Sequence, residues 1–176
     1  MVDKYGADAT RFGLIYQMMG GQDVRFDESA LAAGKKFANK LWNIARFVLT
    51  QTGNNKLQAL NYKSRFHRGP STKSGQLKNQ NSSKQDKEIL EKLNQTIKSV
   101  AKDIDNYKFG QALHAIYDFI WHDFADIYIE YSKEEDTDDV KKTLFYVLDN
   151  IIKILHPFMP FITEEIWSML PLPADK

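Results

Sequence analysis

The sequence predicts an all-α protein folded as an antiparallel bundle of four to five helices. Apolar residues make up 43% of the 176 residues, with only nine Gly and five Pro, the balance of a packed, helix-rich globule. Apolar residues also recur every three or four positions along several separate segments, and no two segments read as a convincing pair of strands.

The first element is a short helix around Ala7 to Met18, ended by Gly20-Gly21, and QDVRF (22 to 26) reads as an extended lead-in. Asp27 or Ser29 caps a longer helix that runs to about Thr52 and stops at Gly53-Asn54-Asn55. Residues 54 to 85 lack sustained periodicity and are rich in Ser, Asn, Gln, Gly and Lys, so they read as a basic, mobile insertion. Periodicity returns with Ile89, Leu93, Ile97, Val100 and Ile104, a helix ending near Asn106.

The next segment, 109 to 132, carries Phe109, Leu113, Ile116, Ile120, Phe124, Ile127 and Tyr131 on its apolar stripe and has no Lys or Arg. Asp138 caps a fourth helix bearing Leu144, Leu148, Ile151 and Leu155, which must stop before Pro157. Pro160 opens a short fifth helix, whose acids Glu164 and Glu165 favour the positive end of its dipole.

Composition excludes several classes. The longest apolar runs are too short to cross a bilayer, so no membrane partner is expected. Asp3, Lys4 and Asp8 interrupt the region where a secretory signal would be apolar. With no cysteine there is neither a disulfide frame nor thiolate chemistry, which is compatible with a cytoplasmic location. No Gly-rich phosphate loop or nucleophile elbow occurs, so no catalytic residue is assigned and a binding module is favoured. His114, Asp118, His122 and Asp126 are spaced four apart, as metal ligands on a helix would be. Such a ladder drifts about 40° per step, its ends diverge, and no metal site is expected. His156 reads as a helix-end residue that meets the terminal carbonyls.

Charge is segregated. The overall +1 conceals a stretch from 29 to 85 with eleven basic residues and no acid, followed by a net −8 from 86 to the end; residues 1 to 28 carry −2. A bipolar map of this kind suits an anionic partner on one side, most commonly nucleic acid. Part of the basic stretch is helical. In KFANKLWNIARFVL (36 to 49), Phe37, Leu41, Ile44 and Val48 fall on one line, flanked by Ala38, Trp42, Ala45 and Leu49. The opposite arc holds Lys36, Asn39, Lys40, Asn43 and Arg46, with Phe47 projecting between Lys40 and Asn43. Unpaired RNA bases are read by stacking on aromatic or guanidinium planes and by hydrogen bonds from amides and basic groups. Phe47 offers the plane, Asn39 and Asn43 paired donors and acceptors, and Lys40 and Arg46 phosphate or base-edge contacts.

Five segments together resemble the valyl-tRNA synthetase family downstream of its catalytic domain: YGADATRF (5 to 12), GGQDVRF (20 to 26), KFANKLWNIARFVL (36 to 49), DNYKFGQALHAIYDFIWHDFADIYIE (105 to 130) and LHPFMPFITEEIW (155 to 167). They follow the family order through nearly the whole chain except 54 to 85. The resemblance implies that residues 1 to 26 end a stem-contact region and that 27 to 176 form a helical anticodon-binding domain of a class I synthetase. It implies valine tRNA as partner, with Lys40, Arg46 and Phe47 matching family contacts to the anticodon bases. The family's ATP-binding signatures, HIGH and KMSKS, do not occur here. The chain is therefore expected to be a fragment with no cofactor of its own and no ligase activity alone, ATP binding and aminoacylation residing in a missing catalytic domain of the same polypeptide. A monomer is expected. Two alternatives stand: the same domain from an isoleucyl or leucyl synthetase, and a protein-interaction bundle whose strip Leu14, Ile15, Met18 and Met19 drives self-association. Two departures from the family stand out: Ser29 where some relatives have a basic residue, and Asp86-Lys87-Glu88 where the family often has Asp-Arg-Trp.

Overall fold

The computed structural model describes residues 1–18, 26–51 and 83–170. The described elements are α1 (Val2–Tyr5), α2 (Ala7–Tyr16), α3 (Glu28–Gln51), α4 (Lys84–Asp105), α5 (Phe109–Asp118), α6 (Glu130–Glu134), α7 (Asp138–Leu155) and α8 (Pro160–Met169). A π-helical stretch, Phe119–Ile129, joins α5 to α6 without a break. Gly20-Gly21, Met19, Gly53-Asn54-Asn55 and nearly all of the 54 to 85 insertion lie outside the described residues. The insertion's last residues do not: Ser83 is the N-cap of α4, and Lys84 and Gln85 are already helical.

One core serves α2 through α8. Phe12, Phe37, Leu41, Val48, Leu93, Leu113, Ile116, Phe124, Leu144, Leu148 and Leu155 are all buried in a single cluster. α2 lies unusually close to α3, because the crossing is built on glycines. A Cβ on Gly13 would sit 2.8 Å from the Leu31 nitrogen, and one on Gly34 would sit 2.8 Å from the Ala9 carbonyl oxygen. α7 packs against both α3 and α4, which closes the bundle around the apolar line of α3.

Caps explain where the helices start. Asp27 precedes α3, and its carboxylate accepts the Ser29 N–H at 2.8 Å. Ser83 and Asp86 cap α4 reciprocally: the Ser83 hydroxyl accepts the Asp86 N–H and the Asp86 carboxylate accepts the Ser83 N–H, both at 3.0 Å. Thr137, rather than the expected Asp138, caps α7 by accepting the Val140 N–H at 3.3 Å. Asp138 lies one residue inside the helix, in the first turn, where its charge suits the dipole instead.

The start of α8 departs further from expectation. Glu164 and Glu165 fall beyond its first turn, and the N-terminal acid comes from another helix. Asp8 of α2 accepts the Phe161 N–H at 3.2 Å and the Ile162 N–H at 2.6 Å. Pro160, at the head of the helix, has no N–H to satisfy, so a remote carboxylate covers the next two donors. Arg11, one turn along α2, donates to the carbonyls of Pro157 at 2.9 Å and Phe158 at 3.3 Å. His156 meets a hydroxyl, not a terminal carbonyl: its Nδ1 lies 2.8 Å from Thr163 Oγ1. That hydroxyl also lies within donating distance of the Met159 carbonyl at 2.8 Å and the Pro160 carbonyl at 3.1 Å.

The third long helix changes register midway. The wider i to i+5 turn moves the buried set to Phe119, Ile120, Phe124, Ala125, Tyr128 and Ile129. Ile127, expected on the apolar stripe, is rotated out and is 58% exposed, while Tyr128 takes an inward place. The Tyr128 hydroxyl donates to Asp86 Oδ1 at 2.5 Å, joining this stretch to the cap of α4. Burial, reinforced by that bond, pushes the Tyr128 phenol far above its ordinary range. Phe109 is likewise displaced from the expected core to the surface.

Candidate nucleic-acid interface

The polar arc of α3 is at the surface because the opposite arc fills the core. Phe37, Leu41, Ile44, Ala45 and Val48 are buried, while Asn39, Asn43 and Arg46 are exposed. Among the described residues, no hydrogen bond or ion pair engages the side chains of these three. The Arg46 carbonyl accepts the Thr50 hydroxyl at 2.8 Å, which occupies its backbone and leaves the guanidinium open. Phe47 is half-buried and packs against the core cluster, at a helix position next to this arc.

Lys40 is different. Its ammonium lies 2.9 Å from Asp126 Oδ1 and 4.3 Å from the centre of the Trp121 ring. Both partners sit on the π-helical stretch, so Lys40 bridges from α3 to that element. Trp121 in turn stacks on Tyr117 at 5.4 Å with an interplanar angle of 18°, and Tyr117 meets Phe37 at 5.1 Å and Phe12 at 6.1 Å. An aromatic row therefore runs from the centre of the bundle to the ammonium. Cation–π attraction and the ion pair both hold Lys40, each modest on its own at a partly exposed site.

Sequence reasoning singled out the α3 residues, named Asp126 only as part of a metal-like ladder, and did not single out Trp121. Their signal was present in the acid-rich, Lys-free character of residues 109 to 132, which calls for cations from elsewhere. The His114 to Asp126 ladder is dispersed by its partners. His114 Nε2 lies 2.9 Å from the Tyr16 carbonyl, and its ring stacks on Tyr16 at 3.7 Å. His122 Nδ1 lies 3.6 Å from Asp126 Oδ2. Among the described residues no group of three such side chains is placed to hold a metal ion. Nor do the helical glycines open a phosphate cradle: neighbouring atoms fill the space beside Gly13, Gly34 and Gly110.

Among the described residues, this helical bundle carries one amide-rich, basic face, on α3. Residues 86–175 match the family model described as the anticodon-binding domain of tRNA ligase, and the chain belongs to that family. It is 38% identical over 189 residues to the valine–tRNA ligase of Aquifex aeolicus (strain VF5), covering 97% of this chain and 15% of that protein. The Geobacillus stearothermophilus valine–tRNA ligase is 42% identical over 178 residues, at 97% and 18% coverage. That of Thermotoga maritima is 39% identical over 180 residues, at 100% and 19%. The chain thus spans less than a fifth of the length of these relatives. Among solved structures, a chain of the Agrobacterium radiobacter K84 agnB2 LeuRS-tRNA-LeuAMS ternary complex superposes with a TM-score of 0.64 at 20% identity, over 98% of this chain and 19% of that one. This likeness is one of fold. The family model begins at residue 86, so α3 lies outside it, whereas the three ligases match along nearly the whole chain.

Proposed function

We propose that this chain reads the anticodon stem-loop of valine tRNA on behalf of a valine–tRNA ligase, using the outward face of α3. The observation that carries the reading is that Asn39, Asn43 and Arg46 stand open on a helix whose other face is packed. Arg46 and the basic residues near it attract the phosphates, the half-buried Phe47 supplies a stacking plane, and Asn39 and Asn43 hydrogen-bond base edges, with Lys40 held beside them. The chain's work is recognition. Residues 1 to 26 act as the end of a stem-contact region and 27 to 176 as the anticodon-binding domain. ATP binding and bond-making belong to the catalytic part of such a ligase, and these 176 residues alone have no ligase activity. Its setting is the cytoplasm, its own state a monomer, and its other partner that catalytic domain. The valine–tRNA ligase relatives favour valine over the isoleucine and leucine alternatives.

The test is equilibrium binding to a valine-tRNA anticodon hairpin and to the same hairpin with its anticodon bases exchanged, each titrated with salt. A preference for the native anticodon that persists as salt rises supports base readout. Equal binding that collapses with salt would reduce the chain to a basic, unspecific contact.

A further inference from the structure

Lys40 is not placed as a phosphate contact. Its ammonium already faces a carboxylate at 2.9 Å, and a phosphate brought to it would meet the charge of Asp126 as well. The pair is electrically neutral, which favours a neutral partner carrying both a donor and an acceptor. Asp126 is suited to such a partner. Its side chain is 49% exposed, Oδ1 is engaged by Lys40, and Oδ2 lies 3.6 Å from His122 Nδ1, beyond hydrogen-bond distance. Trp121 holds the ammonium from its ring face, so Lys40 keeps its position while Oδ2 stays available.

We infer that Asp126 is a base-reading residue: its Oδ2 accepts an N–H from the edge of one unpaired anticodon base, and Lys40 donates to the acceptor beside that N–H. Every nucleobase offers such a donor–acceptor neighbourhood on its Watson–Crick edge, and a carboxylate is the acceptor proteins use for exocyclic amino groups. The reading face then has two walls, the polar arc of α3 and the π-helical stretch, joined by Lys40. Trp121 is a positioning residue that fixes Lys40 against the second wall. The inference rests on the anticodon reading above.

The test uses the full chain and three variants, Asp126→Asn, Asp126→Glu and Asp123→Asn, each confirmed as folded by circular dichroism. Asp123 supplies the control: it lies on the same stretch but pairs with Lys92 at 2.7 Å, away from Lys40. The probes are the valine anticodon hairpin, the anticodon-exchanged hairpin and three hairpins with one anticodon base removed. Asp126→Asn is expected to weaken binding to the intact hairpin about tenfold with an unchanged salt slope. That loss should vanish for one of the three abasic hairpins, which identifies the base. Asp126→Glu keeps the charge but shifts the carboxylate, and should lose part of the discrimination. Asp123→Asn should bind as the parent does.

Tighter binding of Asp126→Asn to every hairpin, with a steeper salt slope, would overturn the inference, because Asp126 would then act only by screening a phosphate contact. Unchanged binding by both Asp126 variants, while the parent still discriminates anticodons, would overturn it alone. A parent chain that binds native and exchanged hairpins equally would overturn the anticodon reading, and this inference with it.

Discussion

α2 and α3 cross at glycines and both carry charged residues in motif-like stretches, yet the structure uses those charges in opposite ways. On α2, Asp8 and Arg11 are engaged with backbone groups of residues 157 to 162, so the YGADATRF and HPFMPFITEEIW segments are two halves of one contact. On α3, the Arg46 guanidinium and the amides of Asn39 and Asn43 have no such engagement among the described residues. A charged residue in a recurring motif therefore has no fixed meaning. Where backbone donors and acceptors are left over at a helix end, a charge is recruited to satisfy them; where the backbone is already paired along a helix body, a charge pairs with another side chain, as Lys40 does with Asp126, or stands open, as Arg46 does.

The largest effect is expected where an engaged carboxylate is deepest. Tyr128→Phe leaves the buried Asp86 without its hydroxyl donor and should lower stability by about 2 to 3 kcal/mol, the scale for a hydrogen bond to a charged group. Urea denaturation measures it, and a loss near zero would mean that the Ser83 cap alone satisfies Asp86. The same pair predicts a pH response. The folded chain holds the Tyr128 proton to higher pH than the unfolded chain, so stability falls as pH rises above about 10, the ordinary tyrosine value. Tyr128→Phe should flatten that part of the alkaline unfolding curve.

Next comes Asp8→Ala, which leaves two N–H groups of α8 uncapped and should cost about 1 to 2 kcal/mol in the same denaturation. Hairpin binding by the folded fraction should not change. Arg46→Ala is the counterpart. It should leave the unfolding midpoint within about 0.5 kcal/mol, as exposed substitutions do, while weakening hairpin binding about tenfold and lowering the salt slope by about one. If Asp8→Ala impaired RNA binding, or Arg46→Ala unfolded the protein, the contrast between the two helices would fail.

The same contrast shows what was legible in the sequence. Helix bodies were: α3, α4, α7 and α8 follow their apolar periodicity, and the open arc of α3 follows from its packed one. Three kinds of feature were not. Ile127 and Tyr128 exchanged places because a π-helical turn alters the spacing on which a period of 3.6 depends. The Asp8 cap on α8 joins residues 153 positions apart, and Glu164 and Glu165 offered a local but mistaken solution. Trp121 and Asp126 entered the candidate site only through the reach of Lys40, a contact between distant segments that neither segment's own pattern contains.

The smallest expected effect concerns the end of α4, where a side chain is kept against a local preference. Tyr107 has φ +59° and is 82% exposed. It occupies the left-handed position of a helix-ending motif, with its N–H donating to the Ile104 carbonyl at 3.0 Å and the Lys108 N–H to the Asp103 carbonyl at 2.7 Å. Glycine adopts this conformation without the strain a Cβ imposes. The ring recovers little of that strain, since its aromatic contact is an edge-on approach to the surface ring of Phe109 at 6.2 Å. Tyr107→Gly should therefore stabilise the chain by about 1 kcal/mol, read from the urea midpoint. A loss instead would show that the exposed Tyr107–Phe109 pair contributes more to folding than its backbone costs. That would move this helix end from the class of Arg46, side chains the fold can do without, to the class of Asp8.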